Sequence, residues 1–96
     1  MKDRSYIIDQ LKALKPILQK EFPVQRLALF GSWARGEQGD ASDVDILVEV
    51  DPSIGLRFVS LAERLESSLG VPVDLVSRRS VKPSLWTQIE AELIDV

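Results

Sequence analysis

The sequence predicts an α/β (α+β) fold in which helices and short strands alternate along the chain. Three observations predict it. Apolar residues recur at spacings of three and four in Ser5 to Phe22 and again in Phe58 to Leu69. Between and after these stretches lie short apolar runs bounded by turn residues, which read as buried strands. The segment joining the second and third runs is long enough for a crossover helix, so that pair is able to run parallel. The directions of the remaining strands stay open on this pattern alone.

The first helix carries Ile7, Ile8, Leu11, Leu14, Leu18 and Phe22 on one face. Pro16 removes a backbone bond inside it, which predicts a kink or two short helices end to end, and Pro23 closes the segment. Leu27 to Phe30 reads as a short buried strand that Gly31-Ser32 ends, with one helical turn over Trp33 to Arg35 before a Gly-, Asp- and Ser-rich loop from Gly36 to Ser42. A second strand is expected from Asp43 to Val50. After a turn at Pro52, Ser53 and Gly55, a helix bearing Phe58, Leu61, Ala62, Leu65 and Leu69 stops at Gly70. Val71 to Val76 reads as a third strand. Beyond the basic turn Ser77-Arg78-Arg79-Ser80, Pro83 suits the first turn of a last helix with Leu85, Ile89 and Leu93 in its stripe, and neighbouring Trp86 reads as core.

The chain has 96 residues, 45% hydrophobic and 28% charged, enough for one core and hence one expected domain over residues 1–96. Lys and Arg total 12 against 15 Asp and Glu, a net charge of −3 with no basic stripe, so direct nucleic-acid binding is not expected. There is no cysteine and no histidine, which excludes disulfides, thiol nucleophiles, thiolate or imidazole metal sites and histidine bases. Chemistry, if any, must rest on carboxylates and a hard metal. No segment reaches the roughly 20 apolar residues of a membrane span, and the cytoplasm is the expected location.

Asp43 and Asp45 stand two apart at the start of a strand, so both carboxylates project to one side. With no Lys or Arg adjacent in sequence, a divalent ion is the natural counter-charge. Mg²⁺ suits them because it takes oxygen ligands and keeps positions for water and phosphate. A bare Asp-x-Asp also occurs in turns, with Ser42-Asp43 as a cap and Asp45 solvated, and that alternative stays open for the dipeptide alone. Gly31-Ser32 lies between a strand and a helical turn, where backbone amides and a hydroxyl are able to cradle phosphate, though a plain turn has the same residues. Asp74 places one charge in the apolar Val71-Pro72-Val73-Asp74-Leu75-Val76. Either it joins the other carboxylates from an adjacent strand, or it faces water on an edge strand. Trp33, beside the Gly31 turn, reads as a lid or interface residue. Arg35 reads equally as a phosphate contact, with its guanidinium folded back toward the Gly31 turn, or as a solvated arginine; Arg78 and Arg79 are able to meet nucleotide or an acidic patch but read first as a surface turn, and none of the three is placed in the site.

Together these pieces resemble the active-site signature of the DNA polymerase beta nucleotidyltransferase superfamily. Leu27-Ala28-Leu29-Phe30-Gly31-Ser32-Trp33-Ala34-Arg35-Gly36, Ser42-Asp43-Val44-Asp45-Ile46-Leu47-Val48 and Val73-Asp74-Leu75-Val76 look like the minimal nucleotidyltransferase (MNT) family. The resemblance covers nearly the whole chain and shows no departure at the three acidic positions. It implies a small mixed β-sheet flanked by helices in a polymerase-beta-type nucleotidyltransferase fold, and a two-metal transfer of a nucleoside monophosphate. Asp43, Asp45 and Asp74 would be the catalytic, Mg²⁺-holding residues, with Asp74 helping to deprotonate the acceptor. Gly31 and Ser32 would bind the phosphates of ATP or another nucleoside triphosphate.

Larger members of that superfamily add an acceptor-binding domain, for which this chain has no spare length. The family pairing then implies an acceptor supplied in trans: transfer of AMP to a HEPN-domain toxin, with this protein as antitoxin. Two alternatives remain. One is a nucleotidyltransferase for a small hydroxylated molecule such as an aminoglycoside, with a homodimer completing the pocket. The other is a non-catalytic nucleotide-binding module that neutralises its partner by contact.

Overall fold

The computed structural model describes residues 2–96. Helix α1 (Arg4–Glu21) starts on Asp3, whose side chain accepts the Tyr6 amide at 2.9 Å, and ends where the Phe22 amide donates to the Leu18 carbonyl. It is one helix through Pro16, not two end to end. Pro16 and Lys12, whose carbonyl loses its partner, lie on the exposed side, while Ile7, Leu11 and Leu18 are fully buried and hold both halves against the sheet.

Strand β1 (Val24–Phe30) begins three residues earlier than the apolar run predicts. Gln25 and Arg26 disguise its start. Arg26 is accommodated because its guanidinium reaches Asp95 at 2.7 and 3.1 Å and Glu49 at 3.1 Å. The short α2 (Gly31–Arg35) follows directly, then β2 (Val44–Val50), α3 (Arg57–Leu69), β3 (Val73–Ser77), α4 (Pro83–Glu92) and β4 (Ile94–Asp95). Single 3₁₀ turns occupy Pro52–Ile54 and Arg78–Ser80. Val71 and Pro72 precede β3 instead of belonging to it. Pro72 has no amide to give the ladder, although its carbonyl accepts the Val44 amide at 2.9 Å.

The sheet is mixed, in the order β3-β2-β1-β4. β1 runs antiparallel to β2 and β4, and β2 parallel to β3, as a crossover through α3 requires. One face carries Leu27, Leu29, Val44, Ile46 and Val48 into the main core with Ile7, Leu11, Leu18, Leu61, Leu65 and Leu69. The other face carries Ala28, Phe30 and Leu47, covered by Val76, Val81, Trp86, Ile89 and Leu93. Thus α4 packs through Trp86 and Ile89, whereas Leu85, expected in its stripe, is 50% exposed.

Candidate active site

Asp45 is the second residue of β2, and Asp74 the second of β3, and the two are register partners in the parallel ladder. Register partners on strands about 4.8 Å apart share a face, so both carboxylates emerge on the side that α4 covers. Val44 and Val73, also partners, point to the main core instead. β3 is the edge of the sheet and Asp74 is exposed, so its setting combines both alternatives read from the sequence: an edge strand and a neighbouring acid. Asp43 sits exposed just before β2, which begins at Val44 and not at Asp43.

Gly31 opens α2 with φ +76°, a left-handed conformation that glycine adopts without penalty. Its missing side chain matters as much. A Cβ there would overlap Asp45 Oδ2 and come within 2.9 Å of Asp45 Cγ. The turn after β1 and the central carboxylate are therefore in direct contact, which follows from the pairing of Phe30 with Asp45. Ser32 is half-buried beside it, and its hydroxyl has no hydrogen-bond partner among the described residues.

Burial raises the Asp45 pKa above the ordinary carboxylate value, reinforced by the negative charges of Asp74, Asp43 and Glu92 and opposed by Arg35. Among the described residues no three acidic side chains stand close enough to share an ion in these rotamers. Asp43 and Asp74 are exposed and free to turn, and carboxylate oxygens at the edge of a partly buried acid are the donor set a hard divalent cation takes. The residues present fit Mg²⁺.

Several contacts fix the surroundings. Arg4 Nη1 donates to the Ala34 carbonyl at 2.9 Å, and Trp33 Nε1 donates to the Ser42 carbonyl at 3.3 Å, one residue before Asp43. Trp33 is 6% exposed, so it is a core residue that ties the loop down, not a lid or an interface. Trp86 is half-buried, with the Arg78 guanidinium 3.7 Å from its ring centroid. Sequence reasoning missed Glu92. Its Oε1 accepts the Gly31 amide at 3.1 Å and its Oε2 accepts Arg35 Nη1 at 2.8 Å. No local signal marks a residue that lies 61 positions from the glycine it meets. A cavity of about 490 Å³ lined by Val50, Pro52, Phe58, Ser77 and Arg79 lies at the far ends of β2 and β3, away from all three aspartates. None of the described helices is long and apolar enough to cross a membrane.

Comparison with known proteins agrees with this geometry. The family model for the nucleotidyltransferase domain matches residues 11–96. A protein of Methanocaldococcus jannaschii, provisionally named a protein adenylyltransferase, is 44% identical over 101 residues, covering 100% of both chains. A solved structure, provisionally named a minimal nucleotidyltransferase, superposes with a TM-score of 0.83 at 34% identity, covering 99% of this chain and 97% of that one. A second, of tri-AMPylated Shewanella oneidensis HEPN toxin in complex with MNT antitoxin, matches with a TM-score of 0.68 at 27% identity, covering 93% of this chain and 70% of that one. Two acids two residues apart at the entry to β2, a third acid in register with the second of them and a glycine turn pressed against that same residue thus sit on a shared fold, and the chain belongs to the nucleotidyltransferase family, in its minimal (MNT) form.

Proposed function

We propose that this enzyme transfers AMP from ATP, with Mg²⁺, to a hydroxyl side chain of a HEPN-domain protein, and so acts as the antitoxin of a toxin–antitoxin pair. The observation that carries the reading is the contact of Gly31 with Asp45 while Asp74 stands in register beside Asp45 on an open sheet edge. It joins a phosphate-binding turn to a carboxylate cluster without enclosing either. An acceptor that is itself a folded protein can reach such an edge. The name of the M. jannaschii relative and the AMP-carrying toxin in the Shewanella complex support the choice of acceptor.

In this reading Asp43, Asp45 and Asp74 would hold Mg²⁺, which would supply neutralisation of the negative charge on the triphosphate during the displacement. The Gly31 amide and the Ser32 hydroxyl hold phosphate oxygens, and the close approach of the backbone there depends on the missing Cβ. Asp74, exposed at the edge, takes the acceptor's proton as its oxygen bonds to the α-phosphorus. The bond from that phosphorus to the β-phosphate oxygen breaks, and pyrophosphate leaves. Serine, threonine and tyrosine hydroxyls are weak nucleophiles at neutral pH, so removal of this proton is where a carboxylate is needed.

The test is the intact mass of the partner after co-expression with wild type and with Asp74→Asn. The expected outcome is a partner carrying AMP beside wild type and an unmodified, active one beside Asp74→Asn. An unmodified partner that both proteins inhibit fully would establish neutralisation by contact instead.

A further inference from the structure

The two groups best placed to receive phosphate at the Gly31 turn are already engaged, and by an anion that belongs to the chain. Glu92 closes α4 and turns its carboxylate back onto the turn, one oxygen on the Gly31 amide at 3.1 Å and the other on the Arg35 guanidinium at 2.8 Å. We propose that Glu92 is an internal occupant of the phosphate turn, holding Gly31 and Arg35 in the nucleotide-free protein until a triphosphate displaces it, whereupon Arg35 passes from carboxylate to phosphate. The inference rests on the reading of this turn as the phosphate site.

Three features carry it. First, the carboxylate is engaged through both of its oxygens, one taking the Gly31 amide and the other Arg35 Nη1, while Arg35 Nε donates to Glu37 Oε2 at 3.0 Å, so the guanidinium next to the turn is already held by two anionic groups of the chain. Second, the contact is releasable. The Glu92 side chain is 27% exposed and Arg35 45% exposed, so both reach solvent by side-chain rotation. The residue after it, Leu93, is already extended at φ −64° and ψ 134°, and the pairing of Ile94 and Asp95 with β1 lies beyond. The strand therefore keeps its place while Glu92 swings. Third, the exchange is chemically like for like. A guanidinium donates to a carboxylate or a phosphate oxygen with the same geometry, and an amide donates to either as well. Phosphate oxygens and the Glu92 carboxylate cannot occupy the one amide together.

Removing the charge should therefore favour nucleotide. Binding of a non-hydrolysable ATP analogue with Mg²⁺ is measured by calorimetry for wild type, Glu92→Gln and Glu92→Ala, with adenosine as the phosphate-free control. Both variants are expected to bind the analogue about fivefold to twentyfold more tightly than wild type, the range for an ion-assisted bond pair that is partly exposed. Adenosine should bind all three alike. In wild type, without any substitution, adding the analogue should shift the Gly31 amide and the Arg35 Nη resonances, the two donors that Glu92 occupies, in nuclear magnetic resonance spectra. Equal affinity of wild type and both variants would overturn the inference while leaving the nucleotide site in place. Weaker binding by Glu92→Gln would also overturn it, making Glu92 a support for nucleotide. Absence of binding in every protein would remove the phosphate turn itself and this inference with it.

Discussion

At the scale of single residues, Gly31 and Asp45 act as one unit. Gly31→Ala forces a left-handed backbone on a residue with a Cβ, which costs roughly 1–2 kcal/mol, and drives that Cβ into the Asp45 carboxylate. We expect a loss of about 2 kcal/mol or more in urea unfolding, together with loss of metal-dependent nucleotide binding because Asp45 must move. Retained binding with an unchanged midpoint would show that the contact is dispensable. For Asp45 itself the direction of the pH effect follows from its raised pKa. The folded protein holds this proton more tightly than the unfolded chain does, so the associated stability is present at acid pH and is lost as pH rises through the carboxylate range. Asp45→Asn does not suffer this loss. In chelator-treated samples its stability relative to wild type should rise from acid to neutral pH, measured as unfolding midpoints across a pH series. A constant difference would mean that the crowded charge has no energetic consequence.

At the scale of elements, the helices show how tertiary packing overrides a local signal. Pro16 argues for a break, yet α1 is continuous, because the lost bond faces water while Leu11 and Leu18 on either side of it are fully buried. Restoring the amide by Pro16→Ala should raise stability by roughly 1–2 kcal/mol, the helix-interior cost of proline less the unfolded-state entropy that proline removes. A thermal melt decides it: about 4–8 °C per kcal/mol for a domain of this size, whereas a lower midpoint would show that proline's restriction of the unfolded chain dominates. The loop from Gly36 to Ser42 is ordered by a comparable tertiary effect. Buried Trp33 reaches from α2 to the Ser42 carbonyl, so a core residue fixes the chain just before Asp43 and the start of β2.

At the scale of the whole molecule, the central fact is the sheet order β3-β2-β1-β4, which sets β1 and β3 on either side of β2. That order brings the end of β1, with its glycine turn, and the start of β3, with Asp74, to the same end of β2 as Asp45. Much of this was legible beforehand. The three- and four-residue apolar spacing marked α1, α3 and α4, and the crossover length allowed β2 and β3 to run parallel, because both signals are local; the ladder itself made them so. Gly31, Ser32, Asp43, Asp45 and Asp74 stood out because charge and glycine interrupt otherwise apolar strands. Register decided the rest. The pairing of Asp45 with Asp74, the contact of Gly31 with Asp45, the burial of Trp33 and the position of Leu85 outside the packed face depend on which strands and helices become neighbours. β4 is two residues long and exists only because β1 offers it an edge; Glu92, just before it, meets Gly31 only once α4 has crossed the sheet. A sequence displays periodicity and composition, which are properties of adjacent residues. Contacts between residues far apart in the chain are chosen by the packing of the whole, and there the tertiary structure decided what the sequence left open.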